Sequence, residues 1–342
     1  MKIAVNPQCS MPAGRPTERN VRRLLLLAFI AKDMGHDVVV HSSTKYVDQV
    51  EQNHPEPDAR GYMQLSEELS FRENVAPFKP DVYVCSTSAV KSAPAGSVVI
   101  AWAESFHYRR LPQIADRCSV IASYMLRRTD FSGDKGLKVK DKPEHFAGLE
   151  GKTLSVPWLI MTVTFRQLQR DGLIKSYCRD DLAAIREQYS APEKNKVIGF
   201  LGNNMPPYRM ECARQLPQDD RFTLKFTGGI RERSLQSAQY LRWLSECQAI
   251  LHLPGDTWKC ARFSEAVMMG VPVIVPAGKE YLTPPTTSKN AIPIESWSDA
   301  DTMFAGIERS KEIVASADAA YREGWSLRGQ FIQALKKAGV SP

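Results

Sequence analysis

Arg262 and Glu265 stand three residues apart in the stretch GDTWKCARFSEAVMMGVPVIVP, Gly255 to Pro276. At helical spacing they place a guanidinium and a carboxylate on one face of an otherwise apolar helix, near its start. That helix stops at Gly270 and runs into VPVIV, a buried-strand sequence. A helix that only packs on a sheet has no use for charges beside a Gly-Asp turn, so the pair points to a polar group bound there. The alternative within the same residues is an ion pair that caps its own helix.

The elements that must position this pair read as βαβ units. KVIGFLGNN (Lys196 to Asn204) is a β-rich run ending in turn formers. It is followed by a helix near Tyr208 to Leu216, the strand FTLKFTGG, a helix near Leu235 to Cys247, the strand AILHLPG, the Arg262 helix and VPVIVP. Such alternation predicts right-handed crossovers and a parallel sheet. Ligands of these sheets sit at the strands' carboxyl ends, here the loops at Gly202-Asn203-Asn204, Gly228-Gly229, Pro254-Gly255-Asp256 and Pro276-Ala277. Glycines there let backbone amides approach a phosphate, and the next helix adds its N-terminal dipole. Neither G-x-G-x-x-G nor G-x-x-x-x-G-K-[ST] occurs, which disfavours a dinucleotide enzyme or a P-loop NTPase.

The first half opens in the same way, with KIAVNP, a helix from about Glu18 to Met34 that ends at Gly35, and the strand DVVVHS. Short apolar runs DVYVCS, SVVIAW and CSVIAS continue it, as expected for a parallel sheet covered on both faces. The expected division is an N-terminal Rossmann-like domain (1–176), a linker (177–195), a C-terminal Rossmann-like nucleotide-phosphate domain (196–320) and a terminal helix (321–342) packing back on the first domain.

At 342 residues the chain exceeds one ordinary core, and 43% apolar with 24% charged residues is the composition of a soluble globular protein. MKIAVNP reads as a strand and not as a signal peptide, and LLLLAFIA is too short to span a bilayer, so a cytoplasmic location without membrane insertion is expected. The seven cysteines form no C-x-x-C pair and read as reduced thiols. A net charge of +7 suggests an anionic partner. Basic residues gather at Arg109-Arg110, at Arg127-Arg128 and in GDKGLKVKDK, which contains Lys138 and Lys140, with Phe106, Tyr108, Tyr124 and Phe131 interleaved. The pattern suits contact with duplex DNA, phosphates to the cations and bases to the rings; the alternative is a solvated loop.

ARFSEAVMMGVPVIVP resembles the donor-binding signature of GT-B glycosyltransferases. The resemblance implies an α/β fold of two Rossmann-like domains whose parallel sheets face across a cleft, with Arg262 on the donor diphosphate and Glu265 on the ribose hydroxyls. Retaining members often carry a second Glu eight positions earlier; here that position is Thr257, which turns the reading to the inverting branch. Within that branch MKIA, PTERNVRRLLLLAFIAKDMGHDVVV, GFLGNNMPPYRME and SVVIAWAESFHYRRLP are similar to the phage DNA β-glucosyltransferase type. This implies Glu104 as the base, with His107 the alternative, Glu18 at the sugar hydroxyls, Arg209 at the diphosphate and Asp256 at the floor of the site. Gly202 and Gly229 would supply backbone amides to the diphosphate, and Arg127, Arg128, Lys138 and Lys140 would face the nucleic acid. The implied reaction moves a sugar, glucose by this resemblance, from a UDP-sugar to a hydroxymethylated pyrimidine of double-stranded DNA, in the host cytoplasm if the chain is phage-encoded. No tightly bound cofactor and no metal ligand is expected; dependence on a divalent metal and the choice between monomer and dimer stay open. So do a glycan, lipid or small-molecule acceptor and a non-catalytic binding protein.

Overall fold

The computed structural model describes residues 1–8, 18–52, 68–103, 111–123, 149, 151–157, 160, 162–193, 197–203, 207–227, 237–253, 261–277 and 284–342. The first unit runs β1 (Lys2–Asn6), α1 (Glu18–Asp33), β2 (Asp37–His41), α2 (Thr44–Gln52), β3 (Ser70–Arg72), β4 (Val82–Ser86), β5 (Val98–Ala103), α3 (Leu111–Ile114), β6 (Val120–Ser123) and β7 (Thr153–Ser155). A connecting segment holds α4 (Thr162–Arg170), α5 (Ile174–Cys178) and α6 (Leu182–Tyr189). The second unit is β8 (Ile198–Asn203), α7 (Pro207–Gln215), β9 (Phe222–Thr227), α8 (Ser237–Glu246), β10 (Ala249–Leu251), α9 (Ala261–Met268), β11 (Val273–Pro276), β12 (Ile292–Ile294), α10 (Ala300–Glu308) and α11 (Ser310–Ala320). A single π-helical turn, Tyr321–Trp325, then leads into α12 (Leu327–Lys337).

Both sheets are parallel throughout, in the orders β3-β2-β1-β4-β5-β6-β7 and β12-β11-β10-β8-β9. Each is Rossmann-like, because the chain winds outward from a central first strand to one side and then to the other. In the second sheet the direction reverses between β8 and β10, the crevice where doubly wound sheets take their ligands. Apolar strands covered on both faces supply the core, and a helix that is apolar all round needs the same cover. Leu24 to Ala31 of α1 is such a helix, at most 3% exposed, enclosed by its own sheet on one side and by α5 and α12 on the other. Among the described residues no helix is long and apolar enough to cross a membrane.

The segment expected as a linker is in part helical. Asp181 caps α6 by accepting from the Ala184 amide, and Leu182, Ile185 and Tyr189 are buried. α12 lies against α1, with Leu327, Phe331, Ala334 and Leu335 buried, and Asp33 at the end of α1 pairs with both Arg179 and Arg328. The connecting segment and the terminal helix therefore meet on the same side of the first sheet.

Asp180 sits at that meeting point, left-handed at φ 59 and buried, with the Ser326 hydroxyl donating to it. Burial dominates the nearby Arg328 and Arg322 charges and raises its carboxyl to about 7. The folded chain thus holds this proton where the unfolded chain has released it. Asp180 costs nothing below about pH 4, costs progressively more as pH climbs to about 7, and carries its full penalty above that. Asp180→Asn keeps a residue type that tolerates the left-handed backbone and has no proton to lose. Melts across pH should show the variant above the wild type beyond pH 7, converging as pH falls toward 4; parallel curves would refute the assignment.

Candidate donor site at the edge of the second sheet

Three elements build the site: the carboxyl end of β8, the start of α7 and the start of α9. Phe200 and Gly202 are two residues apart and so share one face of β8. Above that face the Arg262 guanidinium lies 4.4 Å from the Phe200 ring centroid and that of Arg209 lies 5.4 Å from it. Both arginines are buried, 8% and 4% exposed. Arg262 Nε donates to the Leu201 carbonyl at 2.9 Å, and its Nη1 has no hydrogen-bond partner among the described residues. A Cβ on Gly202 would stand 2.4 Å from Arg262 Nη2 and 2.9 Å from Phe200 Cζ. Glycine is there because the guanidinium occupies the place of a side chain.

Glu265, one turn into α9, is fully buried. Its Oε1 accepts from Thr164 Oγ1 of α4 at 2.5 Å and its Oε2 from the Tyr240 hydroxyl of α8 at 3.0 Å. A carboxylate expected to meet ribose hydroxyls here meets two hydroxyls of the chain itself. The far end of α9 is held by Arg186 of α6, which donates to the Met268 and Val267 carbonyls at 3.0 and 2.9 Å and forms a two-pronged pair with Asp318. Gly270, at φ 70, closes the helix, and a Cβ there would come 2.9 Å from Arg186 Nε. On its buried side Phe263 packs edge-on against His252 and Trp325.

The structure thus brings Gly202, Arg209 and Arg262 together, with Glu265 one turn behind. Glu104, His107, Gly229, Asp256, Arg127, Arg128, Lys138 and Lys140 lie outside the described residues. Glu18 begins α1, and Glu104 follows Ala103, the last residue of β5, a strand inside the first sheet. Among the described residues no three His, Cys, Asp or Glu side chains gather as a metal site. Sequence reasoning missed Phe200, Thr164, Arg186 and Tyr240. It also missed a polar chain at the carboxyl edge of the first sheet, where Asn6 Nδ2 donates to the Tyr83 hydroxyl at 2.7 Å and that hydroxyl meets His41 Nδ1 at 2.7 Å. His41 Nε2 bonds the Glu73 carbonyl, which leaves Nδ1 of a neutral ring to accept from the Tyr83 hydroxyl, and burial lowers the ring's pKa.

No family model matches the chain, and no curated protein does. Among solved structures it is similar over nearly its whole length to AviGT4, a glycosyltransferase involved in avilamycin A biosynthesis, at 14% identity and TM-score 0.44, covering 99% of this chain and 97% of that one. Anabaena HepE in complex with UDP and glucose superposes at 15% identity and TM-score 0.39, covering 97% and 98%. The lipopolysaccharide outer core galactosyltransferase WaaB superposes at 11% and 0.42, covering 99% of each chain. Likeness this loose transfers no function, and the chain's own residues have to carry it.

Proposed function

We propose that the chain is a nucleotide-sugar-dependent glycosyltransferase of the GT-B arrangement, holding a UDP-sugar by its diphosphate at Arg262, Arg209 and the Gly202 turn. The observation that carries this reading is two buried guanidiniums over one phenylalanine face, at the edge and switch point where parallel sheets take ligands. A buried cation costs folding free energy unless an anion meets it, and Arg262 keeps Nη1 without a hydrogen-bond partner among the described residues. A diphosphate supplies that anion, and it is also the leaving group whose growing charge needs donors already in place.

The resemblance of the sequence supports the rest of the reaction. Glu104 takes the proton of the acceptor hydroxyl as it attacks the anomeric carbon, giving inversion. The acceptor is a hydroxymethylated pyrimidine in duplex DNA, a reading supported by the +7 charge and by the basic run from Arg127 to Lys142.

The test is transfer from several nucleotide sugars to plain and hydroxymethylated duplexes, read by nucleoside mass spectrometry. A hexose on the hydroxymethylated base alone is the expected result. Donor turnover without a DNA product would move the acceptor to a glycan, lipid or small molecule. UDP binding without any turnover would indicate a binding protein, and no UDP binding would overturn the reading.

A further inference from the structure

We propose that Thr164 and Tyr240 are positioning residues of the donor site, acting on Arg262 through Glu265; this rests on the donor-site reading above. Helix α9 is eight residues long, too short to hold its own place, so its position is set by what grips it. Arg186 grips its last carbonyls, and Thr164 and Tyr240 grip its middle through Glu265. Two of the three gripping residues, Thr164 and Arg186, belong to the connecting segment and not to the second sheet or its covering helices.

Glu265 gives those grips their strength. A fully buried carboxyl group has no water to fall back on, so each hydroxyl that donates to it is costly to lose. Removing one makes the carboxylate seek another donor, and α9 moves with it. Arg262 stands one turn away, its guanidinium lying where a side chain on Gly202 would go and over the buried Phe200 ring. A small shift of α9 therefore tilts the guanidinium off the diphosphate. The connecting segment, whose α4 follows β7 of the first sheet, thereby sets the affinity for a ligand of the second.

The experiment uses the full chain and UDP as the probe. Thr164→Val keeps the shape and loses the hydroxyl, Thr164→Ser keeps the hydroxyl, and Tyr240→Phe removes the other donor. Calorimetry should show UDP bound roughly fivefold to twentyfold more weakly by Thr164→Val and Tyr240→Phe, with Thr164→Ser within about twofold of the wild type. In the Glu265→Gln background Thr164→Val should add little, because both changes break one link. In transfer assays donor KM should rise with Kd while kcat holds. Should Thr164→Val not fold, Tyr240→Phe and the serine rescue decide. Folded Thr164→Val and Tyr240→Phe binding UDP as the wild type does would overturn the positioning role alone, whereas a wild type that binds no UDP would overturn the donor site with it.

Discussion

Replacing Arg262 by methionine should weaken UDP binding by roughly a hundredfold while raising thermal stability. The two signs have one cause. Arg262 is buried with Nη1 unmatched among the described residues, which is unfavourable for the protein alone and, on the proposed reading, would be relieved by phosphate oxygens. Methionine keeps the contact with Phe200 and removes the unmatched cation, so the melt should shift upward. Loss of two charge-assisted hydrogen bonds from the bound state is worth about 3 kcal/mol, which is about a hundredfold. Arg262→Lys keeps the charge without the planar fork and should fall between. Gly202→Ala should weaken UDP binding by another route and lower the melt, since its methyl meets the guanidinium and the buried ring at once. Calorimetry at physiological salt with parallel melts checks both signs; a destabilised Arg262→Met with unchanged UDP affinity would show that the arginine only props the fold.

Much of this architecture was legible because it is local. The Glu18 helix with its glycine stop at Gly35, the apolar runs of β2, β4, β5 and β6, and the α9–Gly270–β11 sequence each declare themselves within a few residues. The strands β3, β7 and β12 did not, because each is three residues long and broken by a polar residue or proline, unlike the equally short but wholly apolar β10. Of the connecting helices only α6 falls wholly in the stretch expected as a linker, where Arg179, Asp180, Asp181, Arg186 and Glu187 outweighed its buried Leu182, Ile185 and Tyr189.

The site divides in the same way. Arg262, Glu265 and Gly202 stand out by residue type at a strand end or helix start, but their partners come from far along the chain. Thr164 is 101 residues from Glu265, and Arg186 is 82 from Met268. No spacing rule links such pairs. Gly202 was singled out for backbone approach to phosphate; the geometry adds that its missing Cβ makes room for Arg262. Glu265 was read from the motif as a ligand-facing carboxylate, and only packing reveals that two hydroxyls of the chain enclose it.

The largest effect is expected at Glu104, where Glu104→Gln should lower turnover by about two to four orders of magnitude and leave UDP affinity unchanged. β5 is flanked by β4 and β6 and ends with Ala103 at the carboxyl edge of the first sheet, the edge at which such sheets take ligands. Glutamine matches the size of glutamate and its hydrogen-bonding reach but cannot take a proton, so only the step in which the acceptor hydroxyl is deprotonated should suffer. Arg262→Met should instead raise donor KM and Kd together, which separates a base on one sheet from a phosphate holder on the other. His107→Gln is the companion variant. If it, and not Glu104→Gln, abolishes turnover and the acid limb of the kcat profile, the imidazole is the base and the carboxylate is a strand-end partner of Arg109 or Arg110. A Glu104→Gln enzyme that melts lower yet turns over normally would point to that ion pair as well.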